Sequence, residues 1–498
     1  MSTQSIDPRN GVPFGPEFAD SDDGQVRLAC AEAASAFPRW SGLSAAARAD
    51  VLTTMADKLD AATDQLVALA DAETALGKVR LAGEVSRTTF QLRMLADDIR
   101  GGTYTDPIVD TEVSGAPPIG HPEIRRLLLP IGPVAIYAAS NFPFAFSVAG
   151  GDTASALAAG CTVVIKAHPG HPQTSEAVHA ILVKALVESN LPGGVVGMVH
   201  GFDAGAALIR DPEIRAGAFT GSQRGGRALL DLANARPDPI PFYGELGSVN
   251  PVVVMGSAAH RPTLAREYVD SLLLGAGQFC TNPSLLFVPA SAATLVEQIK
   301  AELTARERAL LLHPGVVEQL ERSIDLVASA SGVEVLAGAL HPAAVAGDRS
   351  LGREPLLFEV AAEHLLEDRT ALEVECFGPV GVLSRYASQD ELLSVLGSLE
   401  GALVGCVHAE VDDRGARQVV ATLAQRVGRV VWNGWSTGVS VTRAQHHGGP
   451  WPATTNPLHS SVGTTAVRRF LRPVAFQGMP ATMVPNATGS TSVPGPLD

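Results

Sequence analysis

Polar and apolar positions alternate with helical spacing over much of the first hundred residues. Val51, Leu52, Met55 and Leu59 repeat at three- and four-residue intervals, with Arg48 one turn ahead. A second run extends from Leu81 to Ile99, so residues 45–98 read as helical. Gly101 to Gly120 breaks the pattern with Gly, Pro, Thr and Asp, and its β-prone residues from Tyr104 to Val113 predict a hairpin-like excursion. The pattern then alternates in type. Val134–Ala138, Thr162–Lys166, Val195–Val199 and Ala216–Thr220 read as strands. Ser147–Ala159 and Ser175–Ser189 read as helices, and Gly221 opens a helix over Arg227–Asn234. Strands separated by helices predict a parallel sheet with right-handed crossovers, whose ligands sit beyond the carboxyl ends of the strands. After Pro251–Val254 the same rhythm runs to about residue 440 and predicts a second α/β domain. Beyond Gln477 the periodicity fades, which predicts an extended or partly disordered tail.

Length and composition narrow this picture. A chain of 498 residues exceeds one ordinary hydrophobic core, so two or three domains are expected. The formal charge of −15, without a basic cluster, gives no reason to expect nucleic acid or anionic lipid as a partner. Between Arg126 and Asp152 lie about two dozen uncharged positions, in principle enough for a membrane span. Pro130, Gly132, Pro133, Asn141 and Pro143 interrupt them, so a buried strand followed by an irregular loop is expected instead. Cys30, Cys161, Cys280, Cys376 and Cys406 have no CxxC spacing, and Met1–Asn10 lacks an apolar leader core. Both point to free thiols and a cytoplasmic protein.

Four segments carry candidate chemistry. Ala218–Gly226 lies where a strand turns into a helix, and with Gly221 and Ser222 it offers backbone N–H groups to a phosphate, although its spacing is not GxGxxG. Gly275–Pro283 sets Cys280 among small uncharged residues; a thiol nucleophile there needs backbone donors, a helix N-terminus or a base to ionise it. Phe242–Ser248 reads as a glycine-flanked turn holding Glu245, whose burial would tune it as a general base. Ser140–Pro143 offers the Asn141 amide to a developing oxyanion. Each has a plain alternative: an ordinary turn, a packed cysteine, a capping glutamate, an asparagine satisfying its own loop.

Taken together and in order, Ala139–Phe144, Lys166–Pro169, Gly277–Pro283, Glu375–Pro379, Val431–Gly434, His447–Thr455, Ser461–Gly463 and Arg468–Pro473 resemble the aldehyde dehydrogenase superfamily along essentially the whole chain. The similarity is greatest to its α-ketoglutaric semialdehyde dehydrogenase branch. The resemblance implies that Cys280 attacks an aldehyde, Asn141 stabilises the oxyanion, and water activated by Glu245 hydrolyses the thioester. It further implies that Lys166 contacts the adenosine ribose, Gly221 and Ser222 the pyrophosphate, and Glu375 the nicotinamide ribose, with Phe377 packed beside it. A dimer or tetramer is implied as well. The expected fold is α/β: a Rossmann-like cofactor domain (1–105 and 127–244), an α/β catalytic domain (245–442) and a small β oligomerisation element (106–126 and 465–498).

This chain also departs from the pattern. Pro169 stands where NAD-preferring relatives often carry a glutamate, while the loop Phe202-Asp203-Ala204 supplies no arginine for a 2′-phosphate, so use of both NAD and NADP is expected. Ser248 replaces the second glycine of Glu-Leu-Gly-Gly. Arg87 is the expected partner of a substrate carboxylate, its alternative being a surface pair with Glu84, and Phe142 and Trp435 are expected tunnel walls. Arg93 is expected to brace structure. The pairs His168/His171 and His446/His447 lack carboxylate or cysteine partners at ligand spacing, so no metal is expected. Competing readings are a dehydrogenase for another semialdehyde or aliphatic aldehyde, and a cofactor-free cysteine thioesterase.

Overall fold

The computed structural model describes residues 2–341, 347–369 and 373–484. The chain starts with an antiparallel hairpin, Ser2–Asp7 against Val12–Ala19, that composition did not announce. The helix Asp23–Ser41 follows, started by a capping box in which Asp22 and Gln25 each accept from the other's backbone N–H. The expected helical region is three helices, Ala45–Ala61, Thr63–Thr74 and Lys78–Arg100. Leu52, Met55 and Leu59 of the first pack with Leu92, Leu95 and Ile99 of the third in one apolar cluster. Truncating one of these leucines to alanine costs about 2–5 kcal/mol.

The first sheet has five strands in the order Val196–Val199, Val163–Lys166, Val134–Tyr137, Ala216–Gly221 and Phe242–Leu246. All are parallel. The chain therefore leaves the central strand first toward one edge and then toward the other, which creates a crevice at the carboxyl ends. The helix Phe202–Arg210 occupies the segment expected as a loop after Val199, because Leu208 and Ile209 supply an apolar face toward the sheet. Glu245 lies within the last strand of this sheet and not in a turn; the flanking glycines serve close packing, and the residues on both sides are buried.

The second sheet has seven strands, ordered Glu334–Ala337, Leu356–Ala361, Val380–Tyr386, Leu285–Pro289, Pro251–Val254, Ala402–His408 and Val427–Trp432. All its neighbours are parallel except the first pair. A third, antiparallel sheet joins Leu471–Gln477, Ile124–Pro130 and Ile108–Asp110, and an isolated bridge from Val113 to His121 closes the excursion before it. The uncharged stretch after Arg126 thus becomes two strands and a loop. Among the described residues no helix is long and apolar enough to cross a membrane. Past Gln477 the described chain ends in a short 3-10 turn, Ala481–Met483, and the remainder of the expected tail, 485–498, lies outside the described residues.

Candidate active site

Two strands and one returning segment assemble the centre. Thr455 N donates to Gly244 O (3.0 Å) and Leu246 N to Ala453 O (2.8 Å), which zips the Gly-rich run His447–Thr455 onto the edge strand Phe242–Leu246. Gly244 N also donates to Thr455 Oγ1 at 2.7 Å. That pairing sets His447 beside Glu245, with His447 Nδ1 3.1 Å from Glu245 Oε2. On its other side His447 Nε2 lies 3.6 Å from Cys280 Sγ. Ser460 Oγ accepts from His447 N (3.1 Å), and Ser461 Oγ lies 3.3 Å from Nδ1. With Nδ1–H facing a carboxylate, Nε2 is free to take the thiol proton.

Burial works to lower the His447 pKa, but hydrogen bonding to Cys280 and Glu245 and their charges outweigh it and hold it up at about 10. Burial raises the Glu245 carboxyl above its ordinary range, partly offset by the His447 hydrogen bond. Nucleophile, imidazole and carboxylate therefore lie in line, and of the backbone donors, helix N-terminus or base expected to activate Cys280 it is the base that stands beside it.

Cys280 is framed rigidly. Before it, Gly275, Ala276 and Gly277 adopt φ of 59°, 60° and 72°, a left-handed run that turns the chain sharply. A Cβ on Gly277 would lie 2.0 Å from Gly378 O, so the Glu375–Pro379 segment rests directly on this turn. Asn250 Nδ2 donates to Cys280 O (2.9 Å) and Asn282 O (3.1 Å). Ser248 Oγ donates to Asn250 Oδ1 at 2.9 Å, so the extra hydroxyl is absorbed by this frame. The Asn141 amide donates to Gln278 O (2.9 Å), two residues ahead of the thiol, and keeps a second N–H.

The helix Lys78–Arg100 lines this centre with charge. Arg80 Nη2 donates to Asn141 O (2.7 Å), and its guanidinium lies 5.2 Å and 5.0 Å from the Phe142 and Phe279 ring centroids. Phe142 meets Phe146 and Phe279 edge-on at 5.2 and 5.1 Å. Arg87 stands 5.8 Å over Phe146, whose ring is 6.1 Å from that of His447. Its Nη1 donates to Val439 O, while among the described residues its Nε is buried with no partner. The alternative surface pair with Glu84 does not form: Glu84 is buried, accepts from Phe144 N and Ala145 N, and is pushed up to about 7 by burial. Trp435, expected in the tunnel, packs on Tyr268 and His408 and donates to Glu267 (3.3 Å), because its strand end faces the second sheet's helix Leu264–Leu273. Arg93 pairs with Asp57 and Asp60, as its bracing role requires.

Of the expected cofactor residues, Lys166, Gly221 and Ser222 lie at the carboxyl ends of strands of the first sheet, while Glu375 and Phe377 come from a segment of the second α/β region. Lys166 ends a strand, nearly buried, with its ammonium 4.6 Å over the Phe202 ring; burial pulls it down to about 8. Gly221 ends the adjacent strand but one, and Ser222 caps the helix Gln223–Asn234 by accepting from Gly225 N (3.2 Å). A Cβ on Gly247 would lie 1.9 Å from Glu375 Oε2, so only glycine leaves room for that carboxylate, itself pushed up to about 8 by burial. Phe377 packs at the edge of an apolar cluster with Leu320 and Val380. Among the described residues no group of three His, Cys, Asp or Glu side chains could hold a metal ion.

The family model for the aldehyde dehydrogenase family matches residues 1–450. The chain belongs to that family. This dehydrogenase is 40% identical over 490 residues to α-ketoglutaric semialdehyde dehydrogenase 2 of Azospirillum brasilense, covering 97% of this chain and 92% of the relative. It is 37% identical to the α-ketoglutaric semialdehyde dehydrogenase of Acinetobacter baylyi, with the same coverage. Its fold matches a double mutant of Staphylococcus aureus betaine aldehyde dehydrogenase crystallised with NAD+, with a TM-score of 0.82, 20% identity, and 96% and 94% of the two chains covered. The protein is an NAD(P)-dependent aldehyde dehydrogenase of α/β fold.

The position of His447 between Cys280 and Glu245 is not foreseen by the sequence reading. It lies in the family-like segment His447–Thr455, where the sequence pattern suggests no role for it beyond that of a possible metal ligand. Arg80 was missed too, since nothing in its spacing separated it from other charges on a long helix.

Proposed function

We propose that this dehydrogenase oxidises an aldehyde bearing a remote carboxylate, α-ketoglutaric semialdehyde, to 2-oxoglutarate. Cys280 gives its proton to His447 Nε2 and attacks the carbonyl carbon. The free N–H of Asn141 and the Cys280 backbone N–H receive the oxyanion. A bound nicotinamide would supply the hydride acceptor that turns the thiohemiacetal into the thioester. Glu245 then takes a proton from water, which attacks the thioester and releases the acid and the Cys280 sulfur. Lys166 holds the adenosine ribose, Gly221 and Ser222 the pyrophosphate, Glu375 the nicotinamide ribose, and Phe377 packs against it; an ammonium without a protein hydrogen bond at a strand end and a glycine-lined cradle suit such a group. Arg87 takes the substrate carboxylate and Phe142 walls the tunnel.

The observation that carries the substrate reading is the buried, unpartnered Nε of Arg87, one aromatic ring away from His447. A desolvated guanidinium with a donor left over is completed by a carboxylate. Free cysteines throughout suit a reducing cytoplasm. Domains bounded at 1–105 with 127–244, 245–442, and 106–126 with 465–498, and a homodimer or homotetramer built on the last, complete the proposal.

The test is reduced-nicotinamide absorbance with α-ketoglutaric semialdehyde, succinic semialdehyde and a neutral aldehyde. A kcat/KM advantage of about tenfold or more for the first supports the reading. Equal values for the neutral aldehyde remove the carboxylate site. Turnover of an activated ester at full rate without nicotinamide, and of no aldehyde, would instead favour the thioesterase.

A further inference from the structure

Lys166 would meet an adenosine ribose without the acid that usually shares it, because Pro169 follows three positions later. A different carboxylate stands there. Ser21 N donates to His200 O (2.9 Å) and His200 N to Ser21 Oγ (3.1 Å), which fastens the segment after the N-terminal hairpin to the end of the strand Val196–Val199. That strand pairs with the one ending in Lys166, in the register Lys166 to Val199. Asp20, one residue before, lies directly on Gly201: a Cβ there would be 2.8 Å from the Asp20 Cγ and 3.0 Å from its Oδ2. Gly201 itself has a φ of +101° and starts the helix Phe202–Arg210. Among the described residues neither the Asp20 carboxylate nor the Lys166 ammonium makes a hydrogen bond or ion pair with a protein group. The Asp20 charge nonetheless works to raise the Lys166 pKa against burial. Asp203 adds a second negative charge in the first turn of the same helix, and no arginine lies within Gly201–Gly205.

We propose that Asp20 selects the cofactor: with Lys166 it grips the adenosine ribose diol, accepting from the 2′-hydroxyl, and its charge turns away a 2′-phosphate. Dinucleotide sites generally place an acid on the ribose hydroxyl and reserve arginine for the phosphate. Here the acid comes from the N-terminal segment and reaches the same place by packing on a glycine. The enzyme then prefers NAD over NADP. The inference rests on Lys166 lying at the adenosine end.

Calorimetric titration of adenosine diphosphoribose and its 2′-phosphate into the full-length protein tests it without turnover. The unmodified protein binds the first about tenfold or more tighter. Asp20→Asn cuts that ratio at least about fivefold, chiefly by tighter binding of the 2′-phosphate, while Asp20→Glu preserves the bias and Asp203→Asn moves it less than about twofold. Equal or tighter binding of the 2′-phosphate by the unmodified protein overturns the proposal. So does an unchanged ratio in Asp20→Asn at unchanged thermal midpoint. Binding of neither compound, with folding intact, instead defeats the cofactor-site reading beneath it.

Discussion

The reacting end of this site and its ligand-holding ends are built on opposite principles. At the reacting end the acid–base groups face one another within the protein: Cys280 faces His447, His447 faces Glu245, and Asn250 and Asn141 secure the backbone on either side of the thiol. At the ends proposed to hold ligand, donors are left over. Among the described residues Arg80 Nη1 and Arg87 Nε are buried without a hydrogen-bond partner beside Phe142 and Phe146, and the Lys166 ammonium meets only an aromatic face at the crevice. The difference teaches where preorganisation is stored. Proton transfers need their groups aligned before the substrate arrives, whereas an unsatisfied buried donor is stabilised only when a complementary anion or hydroxyl enters.

The largest effect expected separates the two ends outright. Cys280→Ala should lower aldehyde oxidation by about 10⁴-fold or more, since no other thiol lies in the line. Binding of adenosine diphosphoribose, measured by calorimetry, should stay within about twofold of the unmodified protein. Retained oxidation would show that the wired line is not the reacting end. Glu245→Gln comes next, at about 10²–10⁴-fold in steady-state turnover, because the thioester forms but water goes unactivated. Mass spectrometry of the intact protein should then find the acyl group on Cys280; a free thiol under turnover conditions would contradict the division of labour.

His447→Gln tests the middle of the line. Turnover and iodoacetamide labelling of Cys280 near neutral pH should both fall by about tenfold to a hundredfold. Its thermodynamic signature has a definite sign. The folded protein raises the imidazole from 6.5 to about 10, so the charged form stabilises the fold. That contribution is fully present below about pH 6.5 and is lost as the pH climbs through about 10. The difference in thermal midpoint between the unmodified protein and His447→Gln should therefore shrink across that interval. A difference that grows with pH would mean that burial, not the two partners, controls the ring.

Much of the fold was legible because periodicity reports it directly. The strand–helix alternation from Val134 onward, and the helices around Leu52 and Leu92, follow from apolar spacing alone. The N-terminal hairpin was not, since its residues are largely exposed and carry no alternation. Nor was the Phe202–Arg210 helix, whose glycine start and small residues read as loop. Within the site, Cys280, Glu245 and Asn141 were legible from their segments and the resemblance. His447 and Asp20 were hidden for a shared reason: each reaches its partner across a long sequence separation, His447 to Glu245 over 202 residues, through a backbone contact that no local pattern encodes.

The narrowest expected effect, confined to one class of aldehyde, concerns the unmatched donor of Arg87. Arg87→Met keeps the apolar stem against Phe146 and removes the fork, so the KM for α-ketoglutaric semialdehyde should rise about tenfold to a hundredfold, the worth of one hydrogen-bonded charge. The kcat should hold, because Arg87 makes no hydrogen bond or ion pair with Cys280, His447 or Glu245. For a neutral aldehyde the KM should not rise and can fall, since an unsatisfied buried cation is gone. Arg80→Met makes the contrasting control: Arg80 donates to the Asn141 carbonyl, so its loss should lower kcat for both aldehydes by disturbing the oxyanion donor. If Arg87→Met raises both KM values equally, the guanidinium shapes the wall without reading charge. The leftover Nε would then be a cost of packing, and the contrast between the two ends would rest on Lys166 and Asp20.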